Sequence, residues 1–538
     1  MKRHMKSAEL FHPRAAWMWL VMLSFIYAAF FVFRYGGLWI ENDTGVFSRQ
    51  AAEFMRHGSI FYPGLYNHGY VYTAWLGGLS LITGLQSMTL NTIVMPFFGL
   101  LLLVISSYLA FSALLPSRRV AALAVIILTS ISGVAFSALR GTHEKLSMAF
   151  VCLAIYCIVR AFEAYAAHRR GAFIGWLAIY FFIQFLNAGT NDFFAATFLG
   201  VLTFTCFSGA VGLLSRKLMD DPRLPRMLGV MGLIVAGSWA ILIGVMLFVF
   251  HPEARDMQLV NSVVAHLKKL FQTSRVSSHP YQAAASIWAN GVVYELMDAS
   301  RWLVVIVSAS VWIHNIYRWV IKGSRQSLRH LFLIAIYTAY ALIVCLSIPV
   351  DFTGLAAGNN LEVRNFTYAS LMGVPLVAEG IYQVLQTRAS RSAPGFRVKL
   401  LKSLRSAVIG SLVLLSGLGL LKVTLDPLVS NSWIYYKPGE AQALQFFWGH
   451  NRNQVLWTGP DDRLAFYAHA AFVTNPGKNQ IIGYAPTPFT QDYLDSPVVK
   501  ASALALHYPL IHYQTYDLIY DNGGAEIVRR VPKSPFMH

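Results

Sequence analysis

Charge is what this sequence has least of. Only 13% of its residues are Asp, Glu, Lys or Arg, about half the share of a soluble globular chain. Acidic residues are the scarcer sign, 25 against 43 Lys and Arg. There are four cysteines, Cys152, Cys157, Cys206 and Cys345, all inside apolar stretches. That excludes a disulfide framework and a cysteine metal site. No zinc-type ligand spacing, Walker loop, dinucleotide fingerprint or Gly-x-Ser-x-Gly elbow occurs. The first apolar run lacks a small-residue cleavage site, so it is expected to stay as a membrane span. No internal repeat or low-complexity tract stands out.

Apolar length is what the sequence has instead. Hydrophobic residues make up 56% of the 538, with mean hydropathy +0.50. Runs long enough to cross about 30 Å of hydrocarbon recur along the chain, which defines a polytopic membrane protein. About eleven spans are expected, at roughly 15–38, 90–114, 119–139, 145–164, 172–188, 192–214, 227–250, 301–321, 330–349, 366–386 and 405–425. The net charge of +18 does not point to nucleic acid, because the basic residues sit in short loops between spans. These loops include Arg118/Arg119, Arg169/Arg170, Arg216 to Arg226, Arg318 to Arg329 and Arg388 to Arg405. The alternate loops, 39–89, 140–144, 187–192, 251–300 and 350–365, are poorer in Lys and Arg for their length. The basic side is therefore read as cytoplasmic, with the N-terminus inside and the C-terminus outside. Compact connectors suit a bacterial inner membrane.

Two domains are expected. Residues 1–426 form the membrane bundle with its extracytoplasmic loops 41–89, 251–300 and 350–365. Residues 427–538 lack a span and are rich in turn residues. Tyr516–Tyr520 and Ala525–Arg530, joined by Asp521-Asn522-Gly523-Gly524, read as a two-stranded hairpin. Gln454–Thr458 before Gly459-Pro460 reads as a further strand. A small extracytoplasmic α/β domain follows from this pattern.

The chemistry-bearing residues lie in the loops of the less basic side. The first span leads into Glu41-Asn42-Asp43. Carboxylates at the mouth of a membrane bundle are expensive and mark function. Asp43 is the leading candidate for a general base, taking a proton from an attacking hydroxyl or amine. The alternative for Asp43 is a helix cap, since Asn and Asp are favoured there. Glu41 is the second candidate. Residues 45–55 repeat apolar positions at helical spacing and predict a short interfacial helix. Tyr62, His68 and Tyr70 belong to an aromatic interfacial stretch, and Thr73–Leu85 is too short to span. The second loop, Arg140-Gly141-Thr142-His143-Glu144-Lys145, offers Arg140, His143 and Glu144 for orienting an acceptor or sharing the base role. Glu144 is equally placed to favour a helix N-terminus. Asp192 reads as a helix cap. Arg364 opens a span and can fork to phosphate oxygens; it can also snorkel or pair with Glu362. Lys268 lies in the long loop 251–300, which carries Lys, Arg and His and is otherwise read as a solvated face.

These residues together resemble the GT-C superfamily of integral-membrane glycosyltransferases. The likeness is greatest to the branch that includes protein O-mannosyltransferases and aminoarabinose transferases acting on lipid A. It rests on the acid after the first span, the long first loop with Phe61-Tyr62-Pro63 and Tyr70-Val71-Tyr72, and Arg364 entering a span that contains Pro375. It covers roughly residues 10–425. The resemblance implies transfer of a sugar, with inversion, from a polyprenyl-phosphate donor to a glycan, lipid or protein acceptor on the extracytoplasmic side. It implies Asp43 as base and Arg364 on the donor phosphate. The chain departs from the family at Glu41-x-Asp43, where many members have Asp-x-Asp or adjacent acids, and at Arg364-Asn365-Phe366, where they have Arg-Tyr. No cofactor is expected, and weak divalent-metal binding by Glu41 and Asp43 stays open. The alternative function is a transporter or flippase for a lipid-linked or polar substrate, and a membrane scaffold comes third. The concentration of polar residues in the external loops, with no paired broken helices among the spans, favours the enzyme.

Overall fold

The computed structural model describes residues 13–38, 42–59, 69–214, 224–250, 299–322, 327–352, 361–386, much of 403–423, 438–450, 456–457, 482–485, 516–523 and 526–530. It is predominantly helical. The membrane part contains α1 (Pro13–Arg34), α2 (Asn42–His57), α3 (Val71–Thr83), α4 (Ser87–Leu114), α5 (Arg118–Thr129), α6 (Ser132–Leu139), α7 (Glu144–Ala166), α8 (Arg170–Thr190), α9 (Asp192–Leu214), α10 (Leu224–Val245), α11 (Ala299–Val320), α12 (Leu328–Phe352) and α13 (Leu361–Gln386).

Seven of these helices are long and apolar enough to cross a bilayer, and an eighth span is formed if α5 and α6 count as one. The chain is an integral membrane protein. Helices α11 and α13, with 22 and 26 residues, reach across a bilayer by length but are less apolar. The expected span at 405–425 falls only partly within the described residues. The expected single span at 119–139 is instead broken: α5 and α6 meet at 79°. The cause is local. Thr129 and Ser130 turn their hydroxyls back to carbonyls of the preceding turn, which bends helices, and Ile131 leaves the helical region. Gly419 packs against the carbonyl of buried Ser130, so closely that a Cβ there would stand 2.1 Å from that oxygen.

Helix α7 is the centre of the bundle, with 67% of its span buried against 28% for α8. It packs on α4 and α8, while α13 packs on α12, α11 and α5. One continuous apolar core runs through these helices, with Leu103, Val125, Ile155, Phe198, Leu333 and Leu371 fully buried. Lipid offers no hydrophobic drive between helices, so hydroxyl pairs contribute specificity. Tyr180 and Ser238 join α8 to α10 at 2.8 Å, Trp312 donates to Thr338 at 2.9 Å, and Asn365 donates to Ser347 at 2.6 Å.

Helix α2 is the predicted helix of the first loop, and α3 has 13 residues, short of a span. Phe47 and Ala51 of α2 pack on Tyr72 and Leu76 of α3 and on Leu90, Met95 and Leu146. Toward the C-terminus, α14 (Pro438–His450) packs on a four-stranded sheet of β1 (Leu456–Trp457), β2 (Ile482–Ala485), β3 (Tyr516–Asp521) and β4 (Glu526–Arg530). The order is β1-β2-β4-β3, with β1 parallel to β2 and the other pairs antiparallel. The β3–β4 hairpin is the one predicted. Its turn needs Gly523, which sits at φ +73°.

Gly419→Val should separate its segment from the α5–α6 bend and lower the thermal midpoint, an overpacking effect of about 1–3 kcal/mol. Gly417→Val, where nothing lies within 4 Å of the added Cβ, is the control. A scan of both proteins in the same detergent compares the two midpoints, and equal midpoints would contradict the packing argument.

Candidate active site

The site is assembled around one amide. One turn into α4 lies a π-helical segment, Leu90–Val94; such segments often occur at functional sites. Asn91 lies in it, fully buried. Its Nδ2 donates to the Thr44 carbonyl at 3.2 Å, Ser48 Oγ at 3.0 Å and the Gly141 carbonyl at 3.1 Å. Its Oδ1 accepts from Tyr72 Oη at 2.5 Å. One side chain thus joins α2, α3, α4 and the second loop. Gly141 N–H donates to Thr44 Oγ1 at 3.1 Å. A Cβ on Gly141 would stand 2.6 Å from Thr44 and 2.8 Å from Asn91, so only glycine lets these strands of chain touch.

This clamp sets Asp43 against Arg140. Asp43 lies in the first turn of α2, where the helix dipole favours a carboxylate, and it forms an ion pair with Arg140. The Asp43 side chain is 34% exposed and Arg140 13%. Arg140 Nη1 also stands 3.8 Å from Glu144 Oε2. Glu144 is the first residue of α7 and is buried. Arg140 therefore lies between two carboxylates. Beneath them, Lys145 is fully buried, with Nζ 3.3 Å from the Met95 carbonyl and 5.9 Å from the Tyr72 ring centroid.

His143 is buried between Phe47 and Phe194. Its Nε2 lies 3.0 Å from Asn191 Nδ2. Burial is the main influence on its ring and pushes the pKa down to about 4, outweighing Glu144 and Asp43, which raise it. The ring is neutral at physiological pH, and Nε2 accepts the Asn191 amide proton. Asn191, not the expected Asp192, caps α9: its Oδ1 takes the Phe194 N–H three residues on, at 2.8 Å. Asp192 Oδ1 accepts from the adjacent Phe193 N–H at 2.7 Å. The side-chain geometry of Asn191, at the position before the helix, fits a cap; Asp192 is already inside it.

Arg364 lies in the first turn of α13 and is half-buried. Its charge is felt at both His143 and Glu144, which brings it to the same end of the bundle. A cation in a helix's first turn opposes the dipole. Among the described residues, no carboxylate is ion-paired with Arg364. Arg301 of α11 lies over the Phe366 ring at 4.6 Å, adding a second guanidinium near the start of α13.

The structure thus brings together Asp43, Arg140, His143, Glu144 and Arg364 from the sequence-based set. Tyr70 precedes α3, and its N–H donates to the Gly189 carbonyl at 2.8 Å. Glu41, Tyr62, His68 and Lys268 lie outside the described residues. Sequence reading overlooked Asn91, Thr44, Gly141, Asn191 and Arg301. A lone amide in an apolar run was the available signal for Asn91.

Neither a protein-family model nor a curated protein sequence matches the chain. Solved structures do. ArnT from Cupriavidus metallidurans, bound to undecaprenyl phosphate, superposes with TM-score 0.52 at 14% identity, over 96% of this chain and 99% of its own. The oligosaccharyltransferase from Archaeoglobus fulgidus gives 0.52 at 11% identity over 85% of this chain and 64% of its own. The same archaeal enzyme, AglB, in complex with an inhibitory peptide and a dolichol phosphate gives 0.50 at 13% identity over 84% of this chain. The chain has the fold of the GT-C membrane glycosyltransferases.

Asn91→Ala takes a hydrogen-bond partner from the buried Gly141 carbonyl and from the Tyr72 hydroxyl, each loss costing about 1–3 kcal/mol. It should lower the melting midpoint by several degrees, and denaturation scans of the variant check this. Acid should act through His143. Its folded pKa is depressed from 6.5 to about 4, so its contribution to stability is full above pH 6.5 and is lost as pH falls toward 4. His143→Gln should flatten the stability profile in that window; an unchanged slope would remove His143 from the account.

Proposed function

We propose that this protein is an inverting membrane glycosyltransferase that takes a sugar from a polyprenyl-phosphate donor on the extracytoplasmic side. The observation that carries the reading is that one part-exposed carboxylate, Asp43, and an arginine with no ion-pair partner among the described residues, Arg364, both stand around His143 at one end of a bundle with the fold of ArnT. The bound lipids of the fold neighbours, undecaprenyl phosphate in ArnT and dolichol phosphate in AglB, support the donor class.

The chemistry follows from the side chains. The acceptor hydroxyl or amine attacks the anomeric carbon from the face opposite the phosphate. The Asp43 carboxylate takes the acceptor's proton as the new bond forms. The C–O bond to phosphate breaks, and the polyprenyl phosphate departs with the electron pair. A phosphate leaving group needs cationic stabilisation more than protonation. Arg364 supplies this with its planar fork, with Arg301 as the nearby second cation. Arg140 fixes the Asp43 carboxylate, and Glu144 holds Arg140 from behind. The acceptor is a nucleophile of a glycan, lipid or protein. The basic loops support a cytoplasmic N-terminus, with the 427–538 domain on the acceptor side. Transporters use paired broken helices; among the described residues a single span is broken.

Purified wild type in detergent, given a panel of radiolabelled polyprenyl-phosphate sugars and native membrane extract, should transfer label. Asp43→Asn should lose about 10²–10⁴-fold in rate, and Arg364→Gln about 10²–10³-fold, with folding retained. Full activity in Asp43→Asn would move the base to Glu41 or Glu144.

A further inference from the structure

A second charged cluster stands at the far end of α7, beside a cavity that the proposed chemistry does not use. Glu163 follows Glu144 along α7 by roughly 28 Å, at 1.5 Å per residue. That is close to the hydrocarbon thickness of a bilayer, about 30 Å. The two clusters therefore lie at opposite membrane faces.

The cavity has a volume of about 450 Å³ and is bounded by α7, α9, α10, α11 and α12. That is within the range of specific small-molecule sites, about 300–1,000 Å³. Its wall is largely apolar, with Phe162, Phe204, Met231, Trp319 and Phe332 prominent. The hydroxyls of Thr205 and Thr338 are turned to carbonyls of their own helices.

Charge enters along one edge. Glu163 and Arg329 line the cavity. A single carboxylate serves two guanidiniums there: Glu163 Oε1 pairs with Arg329 at 2.5 Å, and Oε2 pairs with Arg160. The triad keeps one net positive charge. Arg160 Nε is buried without a hydrogen-bond partner, and the Arg329 side chain is 51% exposed. Arg226, Arg318 and Lys322 are exposed at the same ends of α10 and α11. Glu163 is the one acid among the lining residues.

We propose that this cavity binds an acyl chain of an anionic glycerophospholipid from the leaflet opposite the Asp43 site, with the phosphate headgroup at Arg329 and Arg160. The apolar wall takes the chain at hydrocarbon depth. The guanidiniums stand at headgroup depth, where their forks match phosphate oxygens. The net positive charge selects against a headgroup that carries its own ammonium. The site is independent of the glycosyltransferase reading.

Native mass spectrometry tests it. The full chain in mild detergent is mixed with equal amounts of dioleoyl phosphatidylglycerol, dioleoyl phosphatidylethanolamine and undecaprenyl phosphate. Wild type should retain one phosphatidylglycerol in preference to the ethanolamine lipid by about tenfold or more. Arg329→Gln, at an exposed position, should reduce that preference below about threefold while the protein stays folded. Ala335→Phe, which fills the cavity, should abolish retention. Equal retention of the two diacyl lipids by wild type, unchanged preference in Arg329→Gln, or displacement of the bound phosphatidylglycerol by undecaprenyl phosphate would each overturn the proposal. The Arg329→Gln arm decides the matter even if Ala335→Phe fails to fold.

Discussion

Everything at the Asp43 end depends on keeping a polar amide satisfied where water is absent. A buried amide without partners is costly, and in low dielectric the penalty grows. Asn91 meets that constraint by drawing four segments to itself, and the segments it draws are those that carry the charged groups. The π-helical turn in α4 places it there. Asp43 follows because Thr44, its neighbour, is held by backbone and side chain; Arg140 follows because Gly141 is held in the same way.

Charge at this end is arranged in unequal pairs. Arg140 is answered by Asp43 and approached by Glu144, so its field is largely spent within the protein. Arg364 has no such answer among the described residues, though it stands in a helix's first turn where the dipole opposes it. In the proposed reading, the donor phosphate supplies the anion that this cation faces. His143 adds no charge; its burial keeps the ring neutral, and it serves as the acceptor that ties the starts of α7 and α9 together.

Much of this was readable in the residues. The spans followed from apolar length, and Asp43, Arg140, Glu144 and Arg364 stood out because charge beside an apolar run is expensive. The β3–β4 hairpin was visible in its turn residues. Other features were not. The break between α5 and α6 depends on two hydroxyls bonding back within their own helix and on a glycine from a distant segment fitting against the bend. No pattern in residues 119–139 contains that glycine. The choice of Asn191 over Asp192 as the α9 cap turns on a difference of one residue in where the helix starts, which local composition leaves open. Arg301 gained meaning only when α11 was seen to bring it over Phe366.

Helix α7 carries a charged cluster near each end, with an apolar interior between. It is the most enclosed of the seven apolar spans, so its tilt and its position along the membrane normal are tied to those of its neighbours. The separation of its two clusters is therefore a fixed gauge of the bilayer the protein fits. A thinner membrane would bring lipid headgroups into the apolar belt, and a thicker one would draw the charges into hydrocarbon, with strain that grows with each ångström of mismatch. The membrane's own thickness thus becomes a variable that bears on how the Asp43 end is held.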